Sequence, residues 1–177
     1  MTTKIEKPII YSKETPRQII FDDFKKSIDG ELPIAGGWGY TKEDAVIIDK
    51  NDPTVPTGLP FDGVAIEYIV VEKRIYEELI IFSLLGEPHA GIGWKQLSQK
   101  LETHNERDYD ILTYEVTAFS KSDWLCLKED LKGSDGSGLV EHGKKRDEKI
   151  ISYTTEYWFD ITSFFGETSK RNNKEPF

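Results

Sequence analysis

The sequence predicts an α+β fold, in which a mostly antiparallel, twisted sheet packs against two or three helices in a single domain. Apolar and polar side chains alternate along residues 109–119 and again along 151–161, and this period of two is typical of half-buried strands. Residues 16–28 instead repeat their apolar side chains at helical spacing. The length of 177 residues is usual for one domain. These patterns indicate strands and a helix that share one core.

The first helix is predicted over residues 16–28. Thr15 suits the N-cap, Pro16 the first helical position, and Gln18 the third position of a capping box. Gly30 suits the position just after the helix, because glycine readily adopts the left-handed conformation that is common there. The apolar stripe of this helix is expected to face the core.

The single domain is predicted to include the whole chain, residues 1–177. Its ordered core is expected to extend from about residue 8 to residue 166. We expect flexible tails at residues 1–7 and 167–177, where polar and charged side chains dominate. Residues 8–12 are predicted to form a short strand.

The densest apolar runs lie between residues 36 and 82, so we expect the rest of the chain to pack around this part. Residues 36–40 combine three glycines with two aromatic side chains. Such a loop can hold a ligand or partner, but the favoured interpretation is that Trp38 folds back onto the core. Residues 45–48 are predicted to form a buried strand. Residues 50–63 are rich in proline and glycine and are expected to be irregular.

Residues 64–82 are compatible with either strand or helix. Five β-branched side chains favour a strand over residues 64–71. Residues 72–79, with the sequence EKRIYEEL, favour a helix. Our interpretation is a strand at 64–71 and a second strand at 79–84, but the sequence does not decide between the two structures.

The second half of the chain is predicted to be mainly a sheet. Residues 92–103 either form the hairpin partner of the strand at 109–119 or, by the spacing of their apolar residues, a helix. A short helix is predicted at 122–132, followed by a glycine-rich and charged loop at 133–148. Trp158 falls on the polar face of the last strand, where it is either covered by another element or part of an exposed patch.

The formal net charge of −9 is concentrated between Thr41 and Leu131, because the charges of the flanking segments cancel. A field of this sign repels nucleic acid and anionic membranes and favours encounter with a basic partner. The chain contains one cysteine, no apolar run long enough to cross a bilayer and no secretory signal at its N-terminus. We therefore expect a cytoplasmic protein that contacts neither nucleic acid nor membrane.

The apparent binding motifs of the sequence are incomplete. Residues 138–144 resemble a phosphate-binding loop, but Lys145 occupies the position of the hydroxyl residue that would meet magnesium. Counting from Asp49 as the first position of a calcium loop, Thr54 replaces the required glycine and Pro60 the required glutamate. We accordingly predict no metal and no cofactor.

Catalytic signatures are also missing from the sequence. The histidines, His89, His104 and His142, all fall in predicted loops or turns and have no ligand spacing. Cys126 lies close to Glu129 and Asp130, whose negative charges disfavour a thiolate. Whether the chain is an enzyme stays open, but these observations favour a protein that is not one.

We interpret the chain as a non-enzymatic acidic binding protein that neutralises a basic protein partner, as a bacterial immunity protein blocks a toxin. Aromatic side chains would anchor the partner and acidic side chains would steer it. The expected partner-binding residues are Trp38, Tyr40, Asp44, Asp49, Asp52, Asp62, Glu67 and Trp158. One alternative is a small-molecule-binding domain or small enzyme with a pocket near Trp38 and Tyr40. Another is a structural or assembly subunit, and the oligomeric state stays open.

Overall fold

The computed structural model of the chain describes residues 2–24, 31–55, 58, 60–83, 88–132 and 139–166. Within these residues one six-stranded mixed sheet is accompanied by four α-helices. Three of the five strand pairings are antiparallel and two are parallel. The predicted α+β class with a mostly antiparallel sheet in a single domain is confirmed, with one helix more than expected.

The elements follow one another along the chain with a π-helical turn directly after the second helix. The strands are β1 (Thr3–Lys4), β2 (Ile34–Gly36), β3 (Val46–Ile48), β4 (His89–His104), β5 (Arg107–Ser120) and β6 (Ile151–Asp160). The helices are α1 (Pro16–Phe24), α2 (Gly63–Tyr76), α3 (Lys121–Lys132) and α4 (Leu139–Lys149), and the π-helical turn is Glu77–Ile81.

Strand β6 lies at the centre of the sheet, in which the order is β2-β3-β6-β5-β4. Two strands run parallel to β6 along the same edge: β1 pairs with its beginning and β3 with its end. The other edge of β6 pairs with β5 over ten residues. A tight turn at Asn105 and Glu106, both with positive φ, joins β4 and β5 into a long antiparallel hairpin.

The main core lies between one face of the sheet and the helices α1 and α2. The alternation along β5 and β6 places every second side chain on this face, and the π-helical turn adds Leu79. Its central residues are Ile66, Val70, Ile75, Leu112, Tyr114, Val116, Tyr157 and Phe159. On the opposite face, Trp158 packs against a small cluster of Ala45, Tyr109 and Ile111. The ring of Trp124 from α3 stacks on Phe119 there, with 5.4 Å between the centroids.

The prediction of a strand at 64–71 is wrong, because these residues form the first half of α2. Asp62 begins the helix: its side chain accepts a hydrogen bond from the backbone N–H of Ala65 at 2.9 Å. Ile66 and Val70 then face the core one helical turn apart, so burial outweighs the strand preference of β-branched residues. The predicted strand at 79–84 is also wrong, since the π-helical turn continues to Ile81.

Two further expectations from the sequence need correction, and one strand lies where the sequence did not indicate it. Residues 8–12 form no strand, because the backbone N–H of Ile10 donates to the hydroxyl of Tyr40 instead of to a neighbouring strand. In the expected tail, Thr3 and Lys4 pair with β6. Residues 139–149 form α4 where a loop was expected, while 133–138 lie outside the described residues.

Several other expectations are confirmed. Trp38 is folded onto the core and only 5% exposed. The predicted helix at 122–132 corresponds to α3, and the predicted strands at 109–119 and 151–161 correspond to β5 and β6. Residues 92–103 lie within β4, the hairpin partner. The first helix is seen to Phe24, and its expected end at 25–28, like the tail at 167–177, falls outside the described residues.

Candidate functional site

A buried arginine connects α2 to the loop at residues 37–40 and to β6. Arg74 is completely buried, and its Nε donates to the Glu78 carboxylate at 2.8 Å, one helical turn later. Its Nη1 donates to the carbonyl oxygens of Trp38 at 3.1 Å and Glu156 at 2.9 Å. The Arg74 guanidinium also lies 3.9 Å from the ring centroids of two tyrosines, Tyr40 and Tyr157.

Glu78 completes this buried cluster. Besides Arg74, its carboxylate accepts hydrogen bonds from the hydroxyls of Tyr40 at 2.8 Å and Tyr153 at 2.6 Å. Burial raises the pKa of both tyrosines well above the ordinary value, and the negative charge of Glu78 raises it further. These hydrogen bonds fix the loop against the sheet. Because the Arg74 and Glu78 side chains are shielded from solvent, neither of them is accessible to a substrate.

Several residues that the sequence indicated as partner-binding have internal roles. Asp44 accepts from the backbone N–H of Tyr40 at 3.2 Å, and Asp62 caps α2. Asp52 pairs with Arg17 at 2.8 Å, and hydrogen bonds from Arg17 and then Thr54 lower the pKa of Asp52 to about 2. The expected acidic residues are therefore distributed over separate parts of the molecule.

The remaining residues that were expected to bind a partner differ in how deeply they are buried. Trp38 and Glu67 are 5% and 3% exposed, so neither side chain offers a surface to a partner. Trp158 is half-buried, with its ring 6.0 Å from that of Tyr109. Asp49 is also half-buried, and its Oδ1 accepts from the backbone N–H of Asn51 at 2.9 Å. Asp49 and Trp158 thus remain accessible in part.

An acidic cleft lies at the end of the β4–β5 hairpin, with a volume of about 500 Å³. Its charged lining residues are Asp49, Glu106, Arg107 and Asp160, that is, three carboxylates and one guanidinium. The strand register explains this arrangement: Ile47 of β3 stands beside Asp160 at the end of β6, and Asp49 follows directly. Arg107 pairs with Asp160 at 2.9 Å, which leaves Asp49 and Glu106 without an ion pair in the described part of the chain.

A second cleft, of about 430 Å³, lies beside the beginning of α1. Its lining includes three of the expected partner-binding residues, namely Trp38, Tyr40 and Asp44. Its charged lining residues are Lys13, Glu14 and Asp44, that is, two carboxylates and one cation, so it is less acidic than the acidic cleft. Its mixture of apolar, aromatic and polar side chains is typical of small-molecule sites.

The structure corrects the expected positions of all three histidines, which lie in a strand or a helix and not in loops. His89 begins β4 and is buried, with its Nδ1 3.2 Å from the carbonyl oxygen of Leu79. His142 lies in α4, 3.1 Å from the carbonyl oxygen of Leu127. His104 ends β4 next to the hairpin turn, and Cys126 is exposed on α3. Among the described residues, no group of three or more His, Cys, Asp or Glu side chains is arranged to hold a metal ion.

Sequence reasoning missed the buried Arg74 and Glu78 and the contribution of Glu106 and Asp160 to the acidic cleft. Arg74 and Glu78 did carry a signal, because their spacing of four residues suits an ion pair on a helix. The residues between the predicted strands at 64–71 and 79–84 carry no predicted element, although their composition favours a helix, and so the pair was not identified. Glu106 and Asp160 come from distant parts of the chain, and only the sheet register brings them together with Asp49.

The described part of the chain is an α+β fold with one mixed sheet, and the acidic cleft and the second cleft both open on its surface. Comparison with protein-family models, with curated proteins and with solved structures gives no match for this chain. No helix in the described residues has the length and apolar character needed to span a membrane.

Proposed function

We propose that this chain is a non-enzymatic binding protein that recognises a basic protein partner, and that the acidic cleft receives a lysine or arginine side chain of that partner. The observation that carries the proposal is the cleft lining of three carboxylates against one guanidinium. Neutralising a basic toxin, in the manner of a bacterial immunity protein, is one function that such binding would serve.

The charges of the cleft favour a cationic side chain for two physical reasons. Asp49 and Glu106 are not neutralised by an ion pair within the described residues, so a cation from outside does not displace an internal partner. The concave shape also removes part of the water around an entering side chain, which strengthens its hydrogen bonds to carboxylates. The net charge of −9 would accelerate the encounter at low salt.

Aromatic side chains close to the cleft support contact with a protein rather than with a small ion. Trp158 precedes Asp160 by two residues on the same strand, and alternation places the two side chains on the same face of the sheet. Tyr109 packs against Trp158 and stands opposite Asp160 in the register. Tyr109 is itself buried, so the half-buried Trp158 is the aromatic side chain that can contact a partner, and such residues are common anchors of protein interfaces.

The test is the binding of a short arginine-rich peptide, measured calorimetrically at low and high salt. The cleft variant is Asp49→Asn/Glu106→Gln. The matched control is Asp147→Asn/Glu148→Gln on the exposed surface of α4, which changes the net charge by the same amount. We expect the cleft variant to weaken binding by about tenfold, or ~1.4 kcal/mol, and the control by much less.

Two results would contradict the proposal. Equal weakening in both variants would mean that the peptide responds to overall charge and not to the cleft. An affinity that does not fall as the salt concentration rises would mean that these charges do not steer binding.

The second cleft favours a small-molecule-binding domain as a second candidate function. Its lining by Trp38 and Tyr40 gives a direct readout, because a bound ligand would change the indole fluorescence of Trp38. A panel of small polar metabolites that produces neither a fluorescence change nor an increase in melting temperature would exclude this candidate.

A further inference from the structure

The outer edge of β4 is open in the described part of the chain. β4 is the last strand in the order β2-β3-β6-β5-β4, and among the described strands its 16 residues pair with β5 only. An edge strand of this length presents a row of free backbone N–H and C=O groups. At the other end of the sheet, β2 has only three residues. β4 is therefore the edge at which a further strand can best extend this sheet.

Apolar side chains are exposed along this edge. Leu97 and Leu101 are each more than half exposed. Leu101 stands opposite Asp110 in the register, and alternation along β5 places Asp110 on the same face as Leu112, which belongs to the main core. Leu101 therefore lies on the face of the sheet that carries α2, at the open edge and in contact with solvent.

The charged side chains of this part of β4 lie on the opposite face. Lys100 is opposite Ile111 and Glu102 is opposite Tyr109, and both of these β5 residues belong to the cluster with Trp158. Lys100 and Glu102 form an exposed ion pair with each other. A lysine on an edge strand usually discourages pairing with another strand. A lysine and a glutamate two residues apart on one face, however, complement each other when the strand meets its own copy in antiparallel orientation.

We propose that two copies of this chain pair along residues 98–104 of β4 in antiparallel orientation, with Leu101 on the two-fold axis, and form one continuous sheet. These seven residues follow the irregularity between Gln96 and Ser98 and keep a regular register up to the hairpin turn. With the axis at Leu101, Lys100 of each copy stands opposite Glu102 of the other, so two ion pairs form across the seam. This inference does not depend on the binding function proposed above.

The position of α2 fits this two-fold arrangement. A two-fold axis perpendicular to the sheet leaves α2 of both copies on the same face of the joined sheet. α2 lies beside the β4 edge, because Tyr76 packs edge-to-face on Trp94 with 5.9 Å between the ring centroids. Val64 and Tyr68, in the first half of α2, are each more than half exposed. The operation that pairs the open edge thus also places these exposed side chains of both helices along one seam.

The distribution of charge favours β4 as the place where two copies meet. Two chains of net charge −9 repel each other, and the negative charge is concentrated between residues 41 and 131. Within that part, residues 89–104 carry two lysines and one glutamate, so repulsion along β4 is weaker than along its surroundings. A seam of seven residues is short for a stable dimer. We therefore expect a weak dimer with a Kd in the micromolar range.

The first experiment is sedimentation equilibrium of the full chain from low micromolar to millimolar concentration. Lys100→Glu and Glu102→Lys each place like charges opposite one another twice, so each should raise the dimer Kd by about tenfold, and the double variant should restore it. Glu102→Lys is decisive, because it makes the net charge less negative and overall repulsion alone would predict a tighter dimer. The control Lys95→Glu changes a charge on the same face outside the seam and should have much less effect.

The second experiment locates the axis by cross-linking. Only a residue on the axis lies next to its own copy, so Leu101→Cys should form a covalent dimer on mild oxidation. The exposed Cys126 is replaced by serine in this variant and in the control Leu97→Cys. The two copies of residue 97 would lie roughly 25 Å apart along the strands, so the control should not cross-link.

Three results would overturn the proposal. A wild-type chain that stays monomeric up to millimolar concentration would do so without any variant. A dimer that tightens in Glu102→Lys would show that only overall charge matters. Equal cross-linking of Leu101→Cys and Leu97→Cys would show that the copies meet in another register or through another surface.

Discussion

Replacing Arg74 by lysine should destabilise the protein strongly, although the positive charge is kept. Lysine carries its donors on a single nitrogen, so it cannot serve Glu78 and the Trp38 carbonyl together with the geometry of a guanidinium. Leaving that carbonyl buried without its donor costs about 1–3 kcal/mol. The lost packing on Tyr40 and Tyr157 adds roughly 2 kcal/mol at a desolvated site. We expect a total loss of roughly 3–5 kcal/mol, a large share of the stability of about 5–15 kcal/mol that is usual for a domain.

The assay is equilibrium unfolding in urea, with circular dichroism as the signal and the dependence on urea concentration compared between variants. Arg107→Lys is the control, because the Arg107 side chain is 57% exposed and pairs only with Asp160 in the described residues. Such an exposed pair contributes about 0–1 kcal/mol. If Arg74→Lys costs no more than Arg107→Lys, the reasoning that the buried cluster fixes the loop to α2 is refuted.

Two further predictions concern a pair of glycine substitutions and an ion pair. Gly91→Ala should cost about 1–3 kcal/mol in urea unfolding, because φ is +58° and the new Cβ would lie 2.6 Å from the ring of Trp124. Gly143→Ala in α4, where a Cβ meets nothing within 4 Å, should instead stabilise by about 0.5–1 kcal/mol, and similar effects in both variants would contradict the steric argument. Asp52→Asn should lower the urea midpoint at pH 7. It should also make the midpoint fall less as the pH is lowered from 3.8 to about 2, because the hydrogen bond from Arg17 is the main cause of the depressed pKa of Asp52. An unchanged decline would show that the ion pair with Arg17 does not contribute.

The strands of the second half could be predicted from the sequence, whereas α2 could not. β5 and β6 each have one buried and one more exposed face, and such strands display their periodicity directly. α2 contains both strand-favouring β-branched residues and helix-favouring charged residues. Its structure is decided by the Asp62 cap and by the packing of Ile66 and Val70, and packing against distant strands is not visible in a local pattern.

The candidate site could also be predicted only in part from the sequence. Asp49 was predicted to be partner-binding and lies in the acidic cleft, but its neighbours Glu106 and Asp160 depend on strand order, which the sequence did not indicate. Glu67 was predicted to be partner-binding but is buried, although glutamate is rarely buried without a partner. Its burial is an exception to that rule, and such exceptions cannot be read from composition.

The central position of β6 has a consequence for synthesis on the ribosome. The β2–β3 pair and the β4–β5 hairpin are joined only through this strand in the described sheet, yet it follows both of them in the chain. Until residues 151–160 have emerged, the nascent chain holds two separate fragments whose inner edges are open to wrong pairing. Contacts such as that of Val46 with Phe159 span more than a hundred residues, so completion of the fold must be late and comparatively slow.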